Sequence, residues 1–225
     1  MCGRFTLTVS LEQLLVRYDV HMTYSISYHH PQYNVAPTQQ VLAIIHDGTR
    51  NRLGELKWGL VPSWAKEPAV SGKMINARSE TLAHKPAFKL PFERKRCIIP
   101  ADSFYEWQLT AESKQPYRIG LKDGGIFSLA GLYDTWTNPD GTKLSSCTII
   151  TTSANSLMAP IHDRMPVILP QEAEDEWLRR DNHNIEALQQ LLVPYPAEEM
   201  KAYPVSTLVN SVKNNSPACI EALPS

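Results

Sequence analysis

The second residue of this 225-residue chain is a cysteine, in the opening stretch Met1-Cys2-Gly3-Arg4-Phe5. Initiator methionine is commonly removed when a small residue follows, and Cys2 would then carry a free α-amine beside its thiol. The ordinary pKa values are about 8 for the amine and about 8.5 for the thiol, so both groups are usable nucleophiles near neutrality. Two chemistries are open to them. One is acyl transfer by an N-terminal nucleophile activated by its own amine. In the other, the amine condenses with an aldehyde to an imine and the thiol closes on the imine carbon, giving a five-membered thiazolidine. Neither is available while Met1 remains.

Four further stretches carry groups that could serve either chemistry. "INARSE" (75–80) places Asn76 and Arg78 two apart: an amide that both donates and accepts, and a planar guanidinium suited to phosphate. "FYEW" (104–107) sets Glu106 among aromatic rings. Strand alternation puts Phe104 and Glu106 on one face and Tyr105 and Trp107 on the other. A carboxyl in that setting is poorly solvated, favours its neutral form and is poised for acid–base work, unless it simply points into solvent from an edge strand. "IHDRMP" (161–166) offers His162 as a proton shuttle beside Asp163 and Arg164. "WGLVPSW" (58–64) supplies Trp58 and Trp64, either stacking platforms for bases or core anchors.

Composition narrows the choice. An apolar fraction of 43% with 20% charged residues describes a globular chain with a real core. A basic stretch followed by an apolar run is missing from the N-terminus, and no apolar segment is long enough to span a bilayer, so a cytoplasmic protein without membrane contact is expected. The four cysteines are widely spaced and form no C-x-x-C pair, which points to free thiols and gives no metal site. The formal charge of −1 hides an asymmetry: residues 1–100 hold 13 Lys and Arg against 7 Asp and Glu, and the remainder reverses it, 9 against 16. A basic face able to attract nucleic acid is one explanation; acidic surface helices are the other.

The elements that must position these groups read as one α+β domain over 1–225, with a mainly antiparallel, barrel-like β core and peripheral helices. Ser10 and Gln13 form a capping box before a helix at 11–18. "VLAIIH" (41–46), Asp47-Gly48 and the run to "LKWGL" predict a hairpin. Strands are expected at 97–107, 117–121, 126–134, 144–152 and 165–169. An acidic helix should run from Pro170 to about Arg179, and a second one should be capped by Asn184.

In order, "MCGRF", "YNVAPT", "WGLVPSW", "INARSE", "FYEW", "IHDRMP" and "VNSVKNN" resemble the SOS response-associated peptidase (SRAP) family over essentially the whole chain. The resemblance implies a sensor of abasic sites in single-stranded DNA, part of the DNA damage response. Such a sensor joins Cys2 to the opened sugar aldehyde as a thiazolidine, reversibly. It implies four catalytic residues, Cys2, Asn76, Glu106 and His162. It also implies DNA-binding positions at Arg4, Asn34, Pro37, Trp64, Arg78, Thr151 and Arg164. No cofactor or metal is implied, and a monomer acting on abasic single-stranded DNA is expected, nucleoid-associated if bacterial. Two alternatives stay open: a thiol peptidase or amidase using Cys2, and a non-catalytic reader of modified bases. The basic stretch "HKPAFK" is expected to be a loop whose lysines need not reach DNA.

Overall fold

The computed structural model describes residues 2–20, 26, 29–68, 72–111 and 113–224. The chain opens with β1 (Phe5–Leu7), α1 (Leu11–Arg17) and β2 (Gln32–Val35). The Ser10 capping box is present: Gln13 N donates to Ser10 Oγ at 3.3 Å and Ser10 N to Gln13 Oε1 at 2.8 Å. The predicted hairpin is β3 (Gln40–His46) and β4 (Asn51–Trp58), paired from Gln40 opposite Lys57 to His46 opposite Asn51. Asp47 organises its turn, accepting from the backbone N–H groups of Thr49 and Arg50, and Gly48 takes the positive φ (+108°) that the bend requires. After β5 (Asn76–Arg78) come α2 (Pro86–Arg94), β6 (Arg96–Ala101), β7 (Ser103–Leu109) and β8 (Lys114–Leu121). Two long strands follow, β9 (Phe127–Thr137) and β10 (Lys143–Ser153). The remaining elements are β11 (Arg164–Pro166), β12 (Ile168–Leu169), α3 (Glu174–Leu178), α4 (Ile185–Gln190) and β13 (Met200–Pro204).

Five strands close on themselves. β10 pairs with β4, β4 with β3, β3 with β6, β6 with β9, and β9 again with β10. Only the β4–β10 junction in this ring is parallel. The expected barrel-like, mainly antiparallel core is therefore present, with strands whose apolar runs are buried from end to end, such as β6. Gly131 on β9 lies opposite Cys97 on β6; a Cβ there would meet Cys97 Sγ at 2.9 Å, so the close approach of these strands needs glycine. A second, wholly antiparallel sheet runs β13-β8-β7-β1-β2 and carries the N-terminus as its penultimate strand.

Two expected strands divide. The run 97–107 is β6 in the barrel and β7 in the second sheet, with Asp102 at the crossing. Its buried carboxylate accepts from Thr6 Oγ1, from Thr8 N and Oγ1 at 2.5 and 2.6 Å, and lies 3.7 Å from Arg118. The run 165–169 splits at Val167 into β11, which pairs with β10, and β12, which pairs with β9. The expected helix at 170–179 is a single 3-10 turn leading into the short α3. The stretch expected as a basic loop contains α2, with Pro86 in its first turn. Asn184 caps α4 as expected, its Oδ1 accepting from Ala187 N at 3.1 Å.

Part of the basic half of the sequence is spent on internal partners. Arg17 pairs with Glu174, Arg52 with Asp47 and Lys95 with Asp134. Buried Arg96 spends its guanidinium on the carbonyls of Phe92, Glu93, Trp177, Arg179 and Asn182. The cations left to meet an anionic ligand are fewer than the count of thirteen suggests.

Candidate active site

Cys2 lies just before β1 and is fully buried. The β1–β7 register pairs Phe5 with Phe104, and the ladder extends backward through Tyr105 N donating to Arg4 O at 2.9 Å. That register carries Cys2 and Gly3 alongside Glu106 and Trp107. Alternation on β7 sorts its side chains as the sequence predicts. Phe104 joins the main core with Cys2, while Tyr105 packs with Val205 and Val209 in a second cluster that Trp107 also borders. Glu106 is not the solvent-facing edge carboxylate that was the alternative; only 3% of it is exposed. Burial raises its carboxyl above the ordinary range, against an opposing pull from positive charge that includes His162. Burial, reinforced by the charge of Glu106, also raises the Cys2 thiol far above its ordinary value, so the sulfur rests as a neutral thiol.

The remaining candidates gather on the C-terminal half of β10. Past the barrel, this strand pairs in parallel with β5 (Ile149 with Asn76, Thr151 with Arg78). On its other side it pairs antiparallel with β11 (Thr151 with Pro166, Ser153 with Arg164). This alternation puts Asn76, Arg78, Thr151 and Arg164 on one face. Asn76 Nδ2 leans on Ile149 O at 3.5 Å, while its Oδ1 is buried with no hydrogen-bond partner among the described residues. Thr151 Oγ1 is in the same condition. Unmet buried acceptors are costly, and two of them on one face mark where a ligand would bring donors. Arg78 is exposed. Arg164 is not: its side chain is 13% exposed, forked onto both carboxylate oxygens of Glu80 and bonded to Thr151 O at 2.7 Å.

His162 precedes β11. Its Nδ1 accepts from Arg164 N at 3.0 Å and also lies 2.8 Å from Asp163 Oδ1. The Asp163 side chain is 85% exposed, so its contact with the ring is well wetted. Gln108 Nε2, donating to Pro160 O at 2.9 Å, ties β7 to the segment before His162.

Arg4 and Asn34, expected as DNA contacts, are brought together but turned inward. Arg4 Nη1 donates to Asn34 Oδ1 at 2.7 Å and to Val209 O at 2.6 Å, and the guanidinium stacks 5.7 Å from Trp107. Asn34 Nδ2 donates to the carbonyls of Val209, Ser211 and Asn214. Both side chains clamp the segment 207–215 against β1 and β2, and Trp107 Nε1 adds a bond to Asn210 Oδ1. In the sequence this clamp is signalled only by the asparagines of "VNSVKNN" (209–215). Pro37 is half-buried beside Thr38, whose φ of +74° is strained for a β-branched residue. Trp64 is 64% exposed, and no hydrogen bond or ring contact joins it to the other candidates; Trp58 is a core residue bonded to Ile75 O. Replacing Asn34 with alanine removes one donor from each of three carbonyls, although Val209 O keeps Arg4 Nη1 and Ser211 O keeps Asn214 N, and takes the Oδ1 acceptor from Arg4. An expected loss of about 1–3 kcal/mol in denaturant unfolding follows; unchanged stability would mean the segment is held by other contacts.

What the arrangement offers chemically is a buried carboxyl whose hold on a proton burial strengthens, near a neutral thiol, beside a face with unmet acceptors and one exposed guanidinium. Among the described residues no group of three or more His, Cys, Asp and Glu could hold a metal ion, and no helix is long and apolar enough to cross a membrane.

A family model described as "SOS response associated peptidase (SRAP)" matches residues 1–212. The abasic site processing protein YoqW of Bacillus subtilis is 54% identical over 223 residues, 99% of this chain and all of that protein. The abasic site processing protein HMCES of Xenopus tropicalis is 36% identical, covering 86% of this chain and 66% of its own. A solved protein structure from Bacteroides thetaiotaomicron superposes with a TM-score of 0.88 at 29% identity, over 99% of this chain and 100% of that one.

Proposed function

Since this chain belongs to the SRAP family, we propose that it processes abasic sites in single-stranded DNA by joining them covalently to Cys2. The observation that carries the proposal is the burial of Cys2 and Glu106 together at the head of β1, where burial raises the carboxyl above its ordinary range. The relatives named as abasic site processing proteins match 99% and 86% of this chain, and their names support abasic sites as the substrate.

The steps follow from the charge states. Removal of Met1 exposes the α-amine, which attacks the C1′ aldehyde of the ring-opened sugar to give a carbinolamine. Neutral Glu106 donates a proton to the departing hydroxyl, water leaves, and an iminium forms. Glu106, now a carboxylate, takes the Cys2 thiol proton as sulfur adds to C1′. The iminium electron pair returns to nitrogen and the thiazolidine closes with net loss of one water. A thiol that rests neutral loses nothing in this order, because its base is generated one step before it is needed. Asn76, through its unpartnered Oδ1, holds the amine or a sugar hydroxyl, and His162 exchanges protons at the sugar. Arg78 and Arg164 take phosphates.

Intact-mass measurement tests the proposal. The purified protein should lack Met1, and incubation with an oligonucleotide carrying one abasic site should add the mass of the DNA less one water. Turnover of peptides or amides with no such adduct would sink the proposal and favour an acyl-transfer role for Cys2.

A further inference from the structure

The Glu80–Arg164 contact lies outside the chemistry just described yet on its face. Resting on the reading of DNA as substrate, we infer that Glu80 is a specificity-determining residue: its carboxylate occupies the Arg164 fork as a stand-in for a backbone phosphate, and DNA docks there by displacing it.

Three observations carry this. First, the fork is built as an anion seat before any ligand arrives. Arg164 Nη2 is fixed on Thr151 O at 2.7 Å, and Nη1 and Nη2 both point at the Glu80 carboxylate, the two-pronged geometry that a phosphodiester also satisfies. Second, the two partners are held unequally. The Arg164 side chain is 13% exposed and locked in the sheet, whereas that of Glu80 is 52% exposed, on the 3-10 turn Ser79–Thr81, and an ion pair so wetted is easily given up. Third, Glu80 sits two residues from Arg78 and four from Asn76, so the seat it fills adjoins the exposed guanidinium and the unpartnered Asn76 Oδ1. The Glu80 carboxyl is also held below its usual range, chiefly by the Arg164 hydrogen bond, so the seat is filled by a full negative charge at neutral pH.

A strand that engages the whole face replaces one anion by another and turns Glu80 into solvent. A strand that touches Arg164 alone meets a neutralised cation and a nearby carboxylate that repels it. Glu80 thereby penalises loose contacts with undamaged DNA more than a docked lesion.

The test uses full-length wild-type, Glu80→Gln and Arg164→Gln proteins with two single-stranded oligonucleotides. One is intact; the other carries a tetrahydrofuran abasic analogue, which has no aldehyde and cannot crosslink. Glu80→Gln should bind the intact strand about two- to fivefold tighter, with a smaller gain on the analogue, so discrimination falls. On the intact strand its slope of log affinity against log salt should steepen by about 0.7, one added phosphate contact on a single strand. Unchanged affinity and slope in Glu80→Gln, with Arg164→Gln still weakening binding and melting as the wild type does, would overturn the role of Glu80 alone. Failure of the wild type to bind either oligonucleotide would instead overturn the DNA reading on which it rests.

Discussion

Cys2→Ala should form no heat- and detergent-stable adduct with abasic single-stranded DNA, yet it should still be trapped on that DNA by borohydride. Alanine permits Met1 removal as cysteine does, so the variant keeps the α-amine and with it the capacity to form an imine. What it loses is the ring closure, and an imine left open returns to amine and aldehyde in water. The paired outcomes separate the two halves of the aminothiol: the amine captures, the sulfur locks. Cys2→Ser should behave likewise, with some loss of stability because a hydroxyl replaces a buried thiol in the main core. A stable adduct from Cys2→Ala without reductant would remove sulfur from the mechanism. Failure of borohydride trapping in a well-folded variant would remove the amine.

Glu106→Gln should slow both formation and reversal of the adduct, by about 10²–10⁴-fold if the carboxyl is the general acid and base. The amide conserves shape and hydrogen bonding but transfers no proton. The pH dependence follows from the direction of the shift. The wild-type rate should decline as pH rises through the raised Glu106 pKa, since the proton donor is lost there, and the variant should lack that limb. Stability carries the same signature. Because the folded carboxyl holds its proton to higher pH than the ordinary value of 4.5, the folded state binds more protons above that value. Stability contributed by Glu106 is present below about 4.5 and is lost as pH rises toward the folded value. Melting temperatures across that window should fall less in Glu106→Gln than in wild type. Identical rate profiles for the two proteins would end the acid–base role.

The core was legible because burial writes itself into apolar runs. The 41–46 hairpin, the strand behind "IFSLAGL" and the one behind "CTII" all lie where their sequences put them. The path of a buried run is less visible. "RCIIPADSFYEW" reads as one strand because apolarity reports depth and not which sheet a residue joins; only the cluster of Thr6, Thr8 and Arg118 around Asp102 shows where the chain crosses. Three-residue strands such as β5 have no periodicity to detect, and α2 was hidden by the second proline, Pro91, inside it. For the site, Glu106 among aromatics left burial and an edge position both open, and the packing of β7 beside β1 decides for burial. Asn34, Arg4 and Arg164 did not signal theirs, because a side chain's type says what it can bind and its neighbours decide what it does bind. Each found an internal partner from more than 30 residues away or, for Asn34 and Arg4, from each other as well.

The place of β1 in its sheet bears on what happens when the adduct is pulled. β1 has β7 on one side and β2 on the other, so in the adduct proposed here DNA attached at Cys2 would hang from an interior strand. A helicase or polymerase dragging on that DNA along the strand axis would load the bonds to both neighbours in parallel, in shear. An edge strand in the same position would peel open one bond at a time. The anchor is short, only three residues, but it is set between two walls, and the resistance of the proposed adduct to traffic on the DNA would belong to the sheet as much as to the covalent bond.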